Sequence, residues 1–545
     1  MARVPNMTDY EKTYAEFKWE VPEYFNFARD VFDKWANDPA RLAMWWIDDE
    51  GNEKKITFAE FQKRSSRMAN VLKSNGIKKG DVVLLIMPRL VEWWETNLAC
   101  IRAGAVVAPG TTMLTAKDIK YRLEMSEAVC IVCDEAIAEK VDEVKDTAPN
   151  LKTMIVVGKK REGWISYEEA VASASPNFAV ENTRSDDPCI LYFTSGTTGM
   201  PKMTLHTHAS YPIGHIITGK YWHDLGPDDI DWTLTDTGWA KAAWGSFFNA
   251  WNQGAVIFVH HTPKFNAQRT LEILASYPIT VLCAPPTAFR MFILEDLSKY
   301  RFPTLRHCVS AGEPLNPEVI EVWEKAFGLK IREGYGQTES VCLVGTFPPL
   351  AVKPGSMGRP SPGFYVSVVD EEGNELPPGK EGDIAVRVRP ERPVGLFKEY
   401  WKDPERTASC YRGDWYITGD RAYRDEEGYL WFVGRADDVI LEAGYRIGPF
   451  EVESALIEHP AVAESAVVAS PDEIRGEVVK AFVILAPGYE PSEQLVKELQ
   501  DHVKKVTAPY KYPKKIEFVD SLPKTISGKI RRVELREREW AGKRR

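Results

Sequence analysis

Residues 192–206 read YFTSGTTGMPKMTLH, and this stretch combines two patterns. An apolar run, CILYF at 189–193, leads into it and is typical of a buried strand. Four hydroxyl side chains, two glycines and Lys202 follow within residues 194–202. Glycines let backbone N–H groups approach an anion, and hydroxyls add further donors. The stretch therefore predicts a strand that ends in a phosphate-binding loop; a plain surface turn is the alternative.

Two common nucleotide motifs do not fit this chain. A Walker A loop requires Ser or Thr after its lysine, whereas Met203 follows Lys202. The dinucleotide pattern G-x-G-x-x-G begins in GYGQTE at 334–339 and fails at Glu339. If the loop at 194–202 binds phosphate, it does so in an arrangement other than these two.

Length and charge limit the class of protein. The chain has 545 residues, and a soft prior of roughly 150 residues per domain predicts three or four structural units. The net charge of −10 argues against a nucleic-acid partner. Residues 501–545 are nevertheless basic, with 14 Lys and Arg against 6 Asp and Glu. We expect this end to be either a solvated tail or a surface that meets a polyanionic small molecule.

Cysteine usage and the N-terminal sequence predict the compartment. Eight cysteines without a regular framework fit a reducing environment, and Cys130 and Cys133 lie in an apolar run that predicts a buried strand. Neither they nor the nine histidines suggest a metal site made by the protein alone. The sequence contains no run of about 18 apolar residues, so we expect no membrane span. The first residues resemble neither a signal nor a transit peptide, so we expect a cytoplasmic, prokaryotic protein.

Alternation of strands and helices sets the fold class. Apolar runs near 81–88, 128–134 and 152–158, and again from 254 to 315, alternate with helical segments, which predicts α/β subdomains around largely parallel sheets. From about 355 to 436, alternating strands and tight turns predict a β-rich subdomain. We therefore expect an α/β protein with a large N-terminal domain, 1–436, of two α/β subdomains plus the β-rich one. A small α+β domain, 437–545, follows a boundary near Asp437.

Five motifs in a fixed order then resemble one superfamily. They are YFTSGTTGMPK (192–202), YGQTE (335–339), YITGD (416–420), GRADDVILEAGYRIGPFEVE (434–453) and LPKTISGKI (522–530). This set resembles the adenylate-forming enzymes, which include acyl-CoA synthetases, luciferases and peptide-synthetase adenylation domains. TDTGWA, GEPLNPE, EIRGEVVKAFV and VTAPYKYPKKIEF make the chain most similar to the medium-chain acyl-CoA synthetases. The resemblance covers essentially the whole chain.

The resemblance implies a two-step reaction with ATP, Mg²⁺ and coenzyme A. A carboxylate attacks the α-phosphate of ATP to give an acyl-adenylate and pyrophosphate, and the CoA thiol then displaces AMP. Negative charge develops on phosphoryl or acyl oxygens in both steps, so positioned cations and donors should carry much of the catalysis. The implied partners are small molecules, and a homodimer is the candidate assembly.

The resemblance also assigns roles around ATP. It gives Lys529, Thr338 and Glu339 to catalysis, with Glu339 also binding Mg²⁺; Lys524 is the less favoured lysine. Asp420 and Arg435 should hold the ribose, and helix-start and turn residues are the plain alternatives for several of these positions. The full ATP-binding set comprises Thr194, Ser195, Gly196, Thr197, Thr198, Gly199, Lys202, Gly312, Glu313, Pro314, Glu333, Gly334, Tyr335, Gly336, Gln337, Asp420 and Arg435.

A mobile C-terminal domain follows from the same resemblance. Asp437 matches a hinge about which this domain rotates between the two steps. Rotation would exchange Lys529 for a surface that contacts CoA, and the basic charge of 501–545 would serve ATP in one state and CoA in the other. The implied CoA-binding residues are Gly444, Tyr445, Arg446, Arg475, Tyr510, Lys511 and Tyr512.

The acyl pocket is implied by fewer matches. Trp239 in TDTGWAKAAWGS matches a pocket residue, and Gly336 should form the floor. Lys241 either enters the pocket or is an exposed lysine. Several tryptophans predict a small cavity for short, branched or compact acids, with aromatic acids as the alternative. The candidate lining residues are Trp239, Lys241, Trp244, Gly336, Cys283, Trp222 and Met113.

Three competing functions share some of these motifs. A carrier-dependent adenylation domain needs a downstream carrier with a G-G-x-S sequence, which the chain lacks. A luciferase-like oxygenase would not require the CoA-binding matches. A non-catalytic nucleotide-binding regulator would not need Thr338, Glu339, Asp420 and Lys529 together. An AMP-forming acyl-CoA synthetase is the function that the sequence predicts.

Overall fold

The computed structural model describes residues 3–194, 201–442, 445–472, 476–507, 509–524 and 529–541. Of residues 445, 446 and 509 it describes only the backbone. All statements below concern these ranges. In this part of the chain, no helix is both long enough and apolar enough to cross a membrane.

Two large sheets and two smaller ones organise the chain. The strands up to residue 360 are β1 (Leu42–Asp48), β2 (Glu53–Thr57), β3 (Val82–Ile86), β4 (Val106–Gly110), β5 (Cys130–Asp134), β6 (Thr153–Val157), β7 (Ile165–Ser166), β8 (Pro188–Thr194), β9 (Lys202–Thr207), β10 (Ile230–Thr233), β11 (Val256–His261), β12 (Val281–Ala284), β13 (His307–Ala311), β14 (Ile331–Tyr335), β15 (Val344–Gly345) and β16 (Arg359–Pro360). The later strands are β17 (Val366–Val369), β18 (Gly382–Arg387), β19 (Glu399–Tyr400), β20 (Tyr411–Arg412), β21 (Trp415–Arg424), β22 (Leu430–Arg435), β23 (Ile440–Glu442), β24 (Tyr445–Ile447), β25 (Val462–Asp472), β26 (Gly476–Leu485) and β27 (Lys515–Phe518).

The large sheets are mostly parallel. One has eight strands in the order β19-β9-β8-β4-β3-β5-β6-β7, and the other has nine in the order β16-β15-β14-β13-β12-β10-β11-β1-β2. All five residues of β3, VVLLI, are buried. A continuous apolar strand is expected where helices cover both faces of a parallel sheet. In the first sheet, β9 pairs antiparallel with β8 and carries β19 on its other edge.

Helices connect and cover these strands. They are α1 (Tyr10–Glu16), α2 (Asp33–Trp35), α3 (Phe58–Ser74), α4 (Val91–Ala103), α5 (Ala116–Ser126), α6 (Glu135–Asp142), α7 (Tyr167–Ser173), α8 (His215–Ile217), α9 (Ala240–Gly245), α10 (Phe248–Asn252), α11 (Ala267–Ser276), α12 (Pro286–Phe292), α13 (Pro317–Phe327), α14 (Pro404–Ser409), α15 (Pro449–Ile457), α16 (Glu493–Val506) and α17 (Arg532–Glu539). Thr57 and Glu60 begin α3 with a reciprocal capping box. The α4 helix ends at Gly104, whose φ of 68° favours glycine.

The remaining sheets each have five strands. Strands β17, β18, β21 and β20 follow one another, with β22 on β21, in the predicted β-rich region. Strands β24, β23, β26 and β25 form the last sheet, with β27 on β26, and α15, α16 and α17 pack around it. This last unit has hydrophobic clusters of its own, centred on residues such as Val467, Val479 and Leu499.

The expected fold class is confirmed: a mixed α/β protein with a large N-terminal and a small C-terminal domain. The predicted strands near 82, 130 and 155 and the helix at 449–457 are present. Cys130 and Cys133 are wholly buried, and burial raises the pKa of both thiols, as expected for core cysteines. The exact boundary at residues 436 and 437 stays a prediction.

Candidate active site

The candidate residues gather where parallel strands end. Cys283 lies near the end of β12, Ala311 ends β13 and Tyr335 ends β14, three neighbours in the nine-stranded sheet. The carboxyl ends of adjacent parallel strands form a shared edge, where α/β proteins usually bind ligands. The β-rich sheet closes this edge from one side through Asp420, and the C-terminal domain approaches it through Lys529.

Asp420 is the centre of one hydrogen-bonded group. Its Oδ2 accepts from the Tyr335 hydroxyl at 2.7 Å and from Gln337 Nε2 at 2.7 Å. Its Oδ1 faces Arg435 Nε at 3.9 Å, because the two residues are register partners in β21 and β22. Burial raises the pKa of the Tyr335 phenol, and the Asp420 carboxylate adds to this effect. The geometry brings together four residues that were predicted to bind ATP.

Thr338 is held by its backbone carbonyl. That oxygen accepts from His206 Nε2 at 2.7 Å and from the Tyr211 hydroxyl at 2.6 Å. Because the carbonyl can only accept, Nε2 must carry the ring proton, and Nδ1 can accept from the Ser210 hydroxyl at 2.9 Å. Burial lowers the pKa of His206 to about 3, so the ring stays neutral. The Thr338 backbone is therefore fixed relative to β9.

Glu339 is held by its side chain and by its backbone. The Tyr400 hydroxyl donates to Glu339 Oε1 at 2.7 Å, and the Phe397 N–H donates to the Glu339 carbonyl at 2.8 Å. Lys202 Nζ lies 3.5 Å from the same Tyr400 hydroxyl. The predicted phosphate lysine and the predicted metal carboxylate thus share one neighbour.

The predicted phosphate loop lies between β8 and β9 in the chain. Thr194 and Lys202, on either side of it, are register partners in this antiparallel pair. The predicted loop residues Ser195, Gly196, Thr197, Thr198 and Gly199 lie outside the described residues.

Lys529 reaches the same edge from the C-terminal domain. Its side chain keeps solvent access, yet the surrounding protein desolvates the ammonium and lowers its pKa. Glu313 and Asp420 oppose this shift, whereas Arg435 and Lys241 add to it. These neighbours belong to the large domain, so the domains are oriented with Lys529 facing the Asp420 group.

Residues 311–314, AGEP, follow at the carboxyl end of β13, where Ala311 is the last strand residue. The Glu333 carboxylate accepts from the Leu315 N–H at 3.0 Å, and burial raises its pKa to about 8. Glu313 pairs with Arg290 at 3.3 Å. Gly334 lies against the Trp222 ring, where a Cβ would overlap it. The other predicted members here, Gly312 and Pro314, follow β13 directly.

The predicted acyl residues differ in how deeply they are buried. Gly336 packs so closely on Trp244 that a Cβ would overlap the indole, which fits its expected place at a pocket floor. Trp222 is fully buried and donates from Nε1 to the Glu333 carbonyl at 3.1 Å. Met113, by contrast, is 51% exposed. Trp239 is half-buried and precedes α9.

Lys241 faces inward. Its Nζ donates to the Ala311 carbonyl at 3.0 Å, and burial lowers its pKa, against the opposing effects of Cys283 and Glu313. The alternative of an exposed lysine is wrong for this structure. Cys283 is also approached by His223, and the Lys241 and His223 charges hold the pKa of its thiol below the usual value despite burial.

Of the predicted CoA residues, Lys511 and Tyr512 contact other residues of the C-terminal domain. Lys511 Nζ pairs with Glu451 Oε2 at 2.5 Å, Tyr510 is 38% exposed, and Lys514 Nζ lies 3.5 Å from the centre of the Tyr512 ring. Gly444 and Arg475 lie outside the described residues, and the side chains of Tyr445 and Arg446 are likewise not described. The carbonyl of the expected hinge residue, Asp437, accepts from Arg536 at 2.7 Å.

Comparison with known proteins defines the family. The family model described as AMP-binding enzyme matches residues 31–401, and the model described as AMP-binding enzyme C-terminal domain matches residues 451–529. The mouse (Mus musculus) protein named acyl-coenzyme A synthetase ACSM3, mitochondrial, is 53% identical over 98% of this chain and 94% of its own length.

Two solved structures share the whole architecture. The anthranilate CoA ligase AuaEII with anthranoyl-AMP superposes with a TM-score of 0.87 at 30% identity, covering 95% of this chain and 98% of that one. ATP-bound MatB from Rhodopseudomonas palustris superposes with a TM-score of 0.83 at 29% identity, covering 94% and 99%.

The chain belongs to the AMP-binding enzyme family. It is an acyl-coenzyme A synthetase, an acid–thiol ligase whose substrates are a carboxylic acid, ATP and CoA. The predicted superfamily and enzyme class are thereby confirmed.

The expected location is wrong. The mouse, rat and human relatives that match at 53% identity are mitochondrial proteins of mammals, which contradicts a prokaryotic, cytoplasmic origin. The expectation rested on the first residues and on cysteine usage, and reduced cysteines do not distinguish one reducing compartment from another.

Sequence reasoning missed the residues that hold the motifs in place. His206, Tyr211 and Tyr400 each contact Thr338 or Glu339, yet none of the three lies in the motif that it supports. Their only signal is an aromatic or imidazole side chain near strand β9 or β19, which by itself is more typical of a core residue.

Asp420→Asn is expected to weaken ATP binding about tenfold or more, because a carboxylate that accepts charge-assisted hydrogen bonds is replaced by a neutral amide. Calorimetric titration with ATP measures this change. Asp383→Asn is the matched control, since Asp383 is a buried carboxylate of the same sheet that pairs with Arg412 at 2.9 Å. Equal losses in both variants would contradict a direct role for Asp420.

Proposed function

We propose that this enzyme activates short- to medium-chain, branched or compact carboxylic acids through an acyl-adenylate, with Lys529 as the residue that promotes the first step. The observation that carries the proposal is the convergence of Lys529 with Asp420, Arg435 and Glu313 at one sheet edge. A C-terminal-domain lysine that faces these residues is placed to meet an anionic substrate at this edge.

In the first step the acid attacks the α-phosphate of ATP and pyrophosphate leaves. We place the nucleoside against Tyr335 and Gln337, with its ribose hydroxyls near Asp420. The Lys529 ammonium would neutralise both the carboxylate and the α-phosphate, which lowers the repulsion between two anions. The loop from Thr194 to Lys202 would hold the leaving phosphates, with the Thr338 hydroxyl donating to the α-phosphate.

Glu339 is the residue that fits a magnesium ion. Its carboxylate supplies hard oxygen donors, and no set of three His, Cys, Asp or Glu side chains in the described ranges could hold a metal. Magnesium usually binds one or two carboxylates and completes its shell with water and substrate phosphates, so a lone Glu339 is sufficient. When bound, the ion would neutralise charge on the phosphates.

The second step requires another arrangement of the domains. Lys529 occupies the cleft in the present orientation, and Tyr510, Lys511 and Tyr512 lie elsewhere on the C-terminal domain. We propose that rotation about Asp437 withdraws Lys529 and brings these residues, with Gly444, Tyr445, Arg446 and Arg475, to CoA. The basic charge of this domain would then serve two polyanions in turn.

The floor of the acyl pocket argues for compact acids. Trp244 lies against Gly336, and Trp222 supports Gly334, so bulky aromatic rings fill the space below the reacting carboxylate. Lys241, fixed on the Ala311 carbonyl, places a polar group beside Cys283. Aromatic acids are the second candidate, because anthranilate and benzoate CoA ligases share this fold at 30% identity.

Lys529→Ala should lower the rate of acid-dependent pyrophosphate exchange about a hundredfold or more, because the attacking carboxylate and the α-phosphate lose their shared cation. Conversion of supplied acyl-adenylate and CoA to thioester should persist, since Lys529 is then out of the cleft. The two half-reactions are assayed separately.

Lys524→Ala is the control for this experiment. Lys524 lies in the same C-terminal segment, but its Nζ pairs with Glu464 at 2.9 Å, within the C-terminal domain. Both half-reactions should stay within about twofold of wild type, as for most exposed ion pairs. Equal loss of the two half-reactions in Lys529→Ala would argue against the assignment.

A panel of propionate, 2-methylbutyrate, hexanoate, octanoate, benzoate and palmitate tests the pocket. We expect the highest kcat/KM for one of the first four acids, because the tryptophans leave little depth for a long chain. Benzoate as the best substrate would favour the aromatic alternative. Palmitate as the best substrate would contradict the compact pocket.

A further inference from the structure

The hydroxyl of Tyr400 lies between two oppositely charged residues of the phosphate site. It donates to Glu339 Oε1 at 2.7 Å and can accept from Lys202 Nζ at 3.5 Å. The Lys202 ammonium also lies 4.9 Å from the centre of the Tyr400 ring. Tyr400 is 4% exposed, so this contact is sheltered from water.

Strand pairing fixes Tyr400 beside Lys202. Tyr400 is the register partner of Thr204 in the pair of β19 with β9, and Lys202 begins β9. Backbone hydrogen bonds of 2.7 Å flank the pair, from Lys398 to the Leu205 carbonyl and from Trp401 to the Met203 carbonyl. The strand that follows the predicted phosphate loop, β9, is therefore paired directly with the strand that contains Tyr400.

The same segment also fixes Glu339. The Phe397 N–H donates to the Glu339 carbonyl, and Ser340 forms an isolated antiparallel bridge with Leu396. The rings of Phe397 and Tyr400 are 4.9 Å apart. Tyr400 thus has a defined distance to the carboxylate and to the ammonium, set by backbone pairing on both sides.

A phenol at this position leaves the charges of Glu339 and Lys202 available for binding ligands. A phenol hydroxyl has one donor and an acceptor oxygen, so it can donate to the Glu339 carboxylate while it accepts from the Lys202 ammonium. Lys202 and Glu339 form no direct ion pair in the described structure. Without the hydroxyl, the two charges would be free to approach and neutralise each other, leaving less charge for phosphate and metal.

We propose that Tyr400 is a positioning residue that holds Glu339 in place for Mg²⁺ and keeps Lys202 from pairing with it. This inference rests on the proposed function, in which Glu339 binds the metal and Lys202 binds the leaving phosphates. It assigns no chemical step to the tyrosine. Tyr400 acts through its two neighbours.

Tyr400→Phe tests the proposal, because it removes the hydroxyl and keeps the ring. ATP is titrated by calorimetry without acid, at low and at saturating Mg²⁺. We expect Mg²⁺ to improve ATP affinity about tenfold less in the variant than in wild type, the effect of losing one hydrogen bond to a charged group. Acid-dependent pyrophosphate exchange should fall, and thioester formation from supplied acyl-adenylate should not.

Tyr10→Phe is the matched control. Tyr10 is 5% exposed, and its hydroxyl donates to the Pro360 carbonyl at 2.7 Å, away from the phosphate site. This variant reports the cost of losing a buried tyrosine hydroxyl and should leave the Mg²⁺ dependence unchanged. If Tyr400→Phe only lowers Tm and weakens ATP binding equally at both Mg²⁺ concentrations, the role of Tyr400 is structural and the proposal is wrong.

A second variant separates the two contacts. In a Lys202→Met background no ammonium is present to pair with Glu339, so the effect of Tyr400→Phe on the Mg²⁺ dependence should shrink. An undiminished effect would overturn the role of Tyr400 in separating the charges. Absence of acid-dependent pyrophosphate exchange in the wild-type enzyme would instead contradict the proposed function itself.

Discussion

The candidate active site depends on the attachment of one backbone carbonyl to strand β9. The Thr338 carbonyl accepts from His206 and from Tyr211, both buried and both anchored on or just after that strand. The neutral state of His206 makes this contact independent of pH over the physiological range, because burial keeps the ring unprotonated. Two donors on one carbonyl leave Thr338 and Glu339 little freedom relative to strand β9.

The other end of the site is organised by a single carboxylate. Asp420 receives Tyr335 and Gln337 on one oxygen and faces Arg435 with the other. These contacts tie the β-rich sheet to strand β14 of the large sheet. The proposed nucleotide site is therefore an interface between sheets, and none of these three contacts involves the domain that contains Lys529.

Several parts of this arrangement could be predicted from the sequence. Parallel strands such as β3 and β5 are continuous apolar runs, and Thr338, Glu339, Asp420 and Lys529 lie in contiguous motifs. Two-residue strands such as β19 have no periodicity, because their pairing depends on the partner strand alone. Tyr400 of β19 contacts Glu339, which lies 61 positions away in the chain, and no local sequence pattern predicts such a contact. The sequence does not determine where the Lys241 side chain points, because the six residues of helix α9 do not specify which face of the helix packs against the sheet.

The central claim is that one site performs two ordered steps, and product release measures it directly. The enzyme is mixed with ATP and hexanoate, and pyrophosphate and AMP are quantified before and after CoA is added. We predict about one pyrophosphate per active site before CoA, with AMP and hexanoyl-CoA appearing only afterwards in equal amounts. Release of ADP, or a strict requirement for CoA before any pyrophosphate appears, would contradict the account.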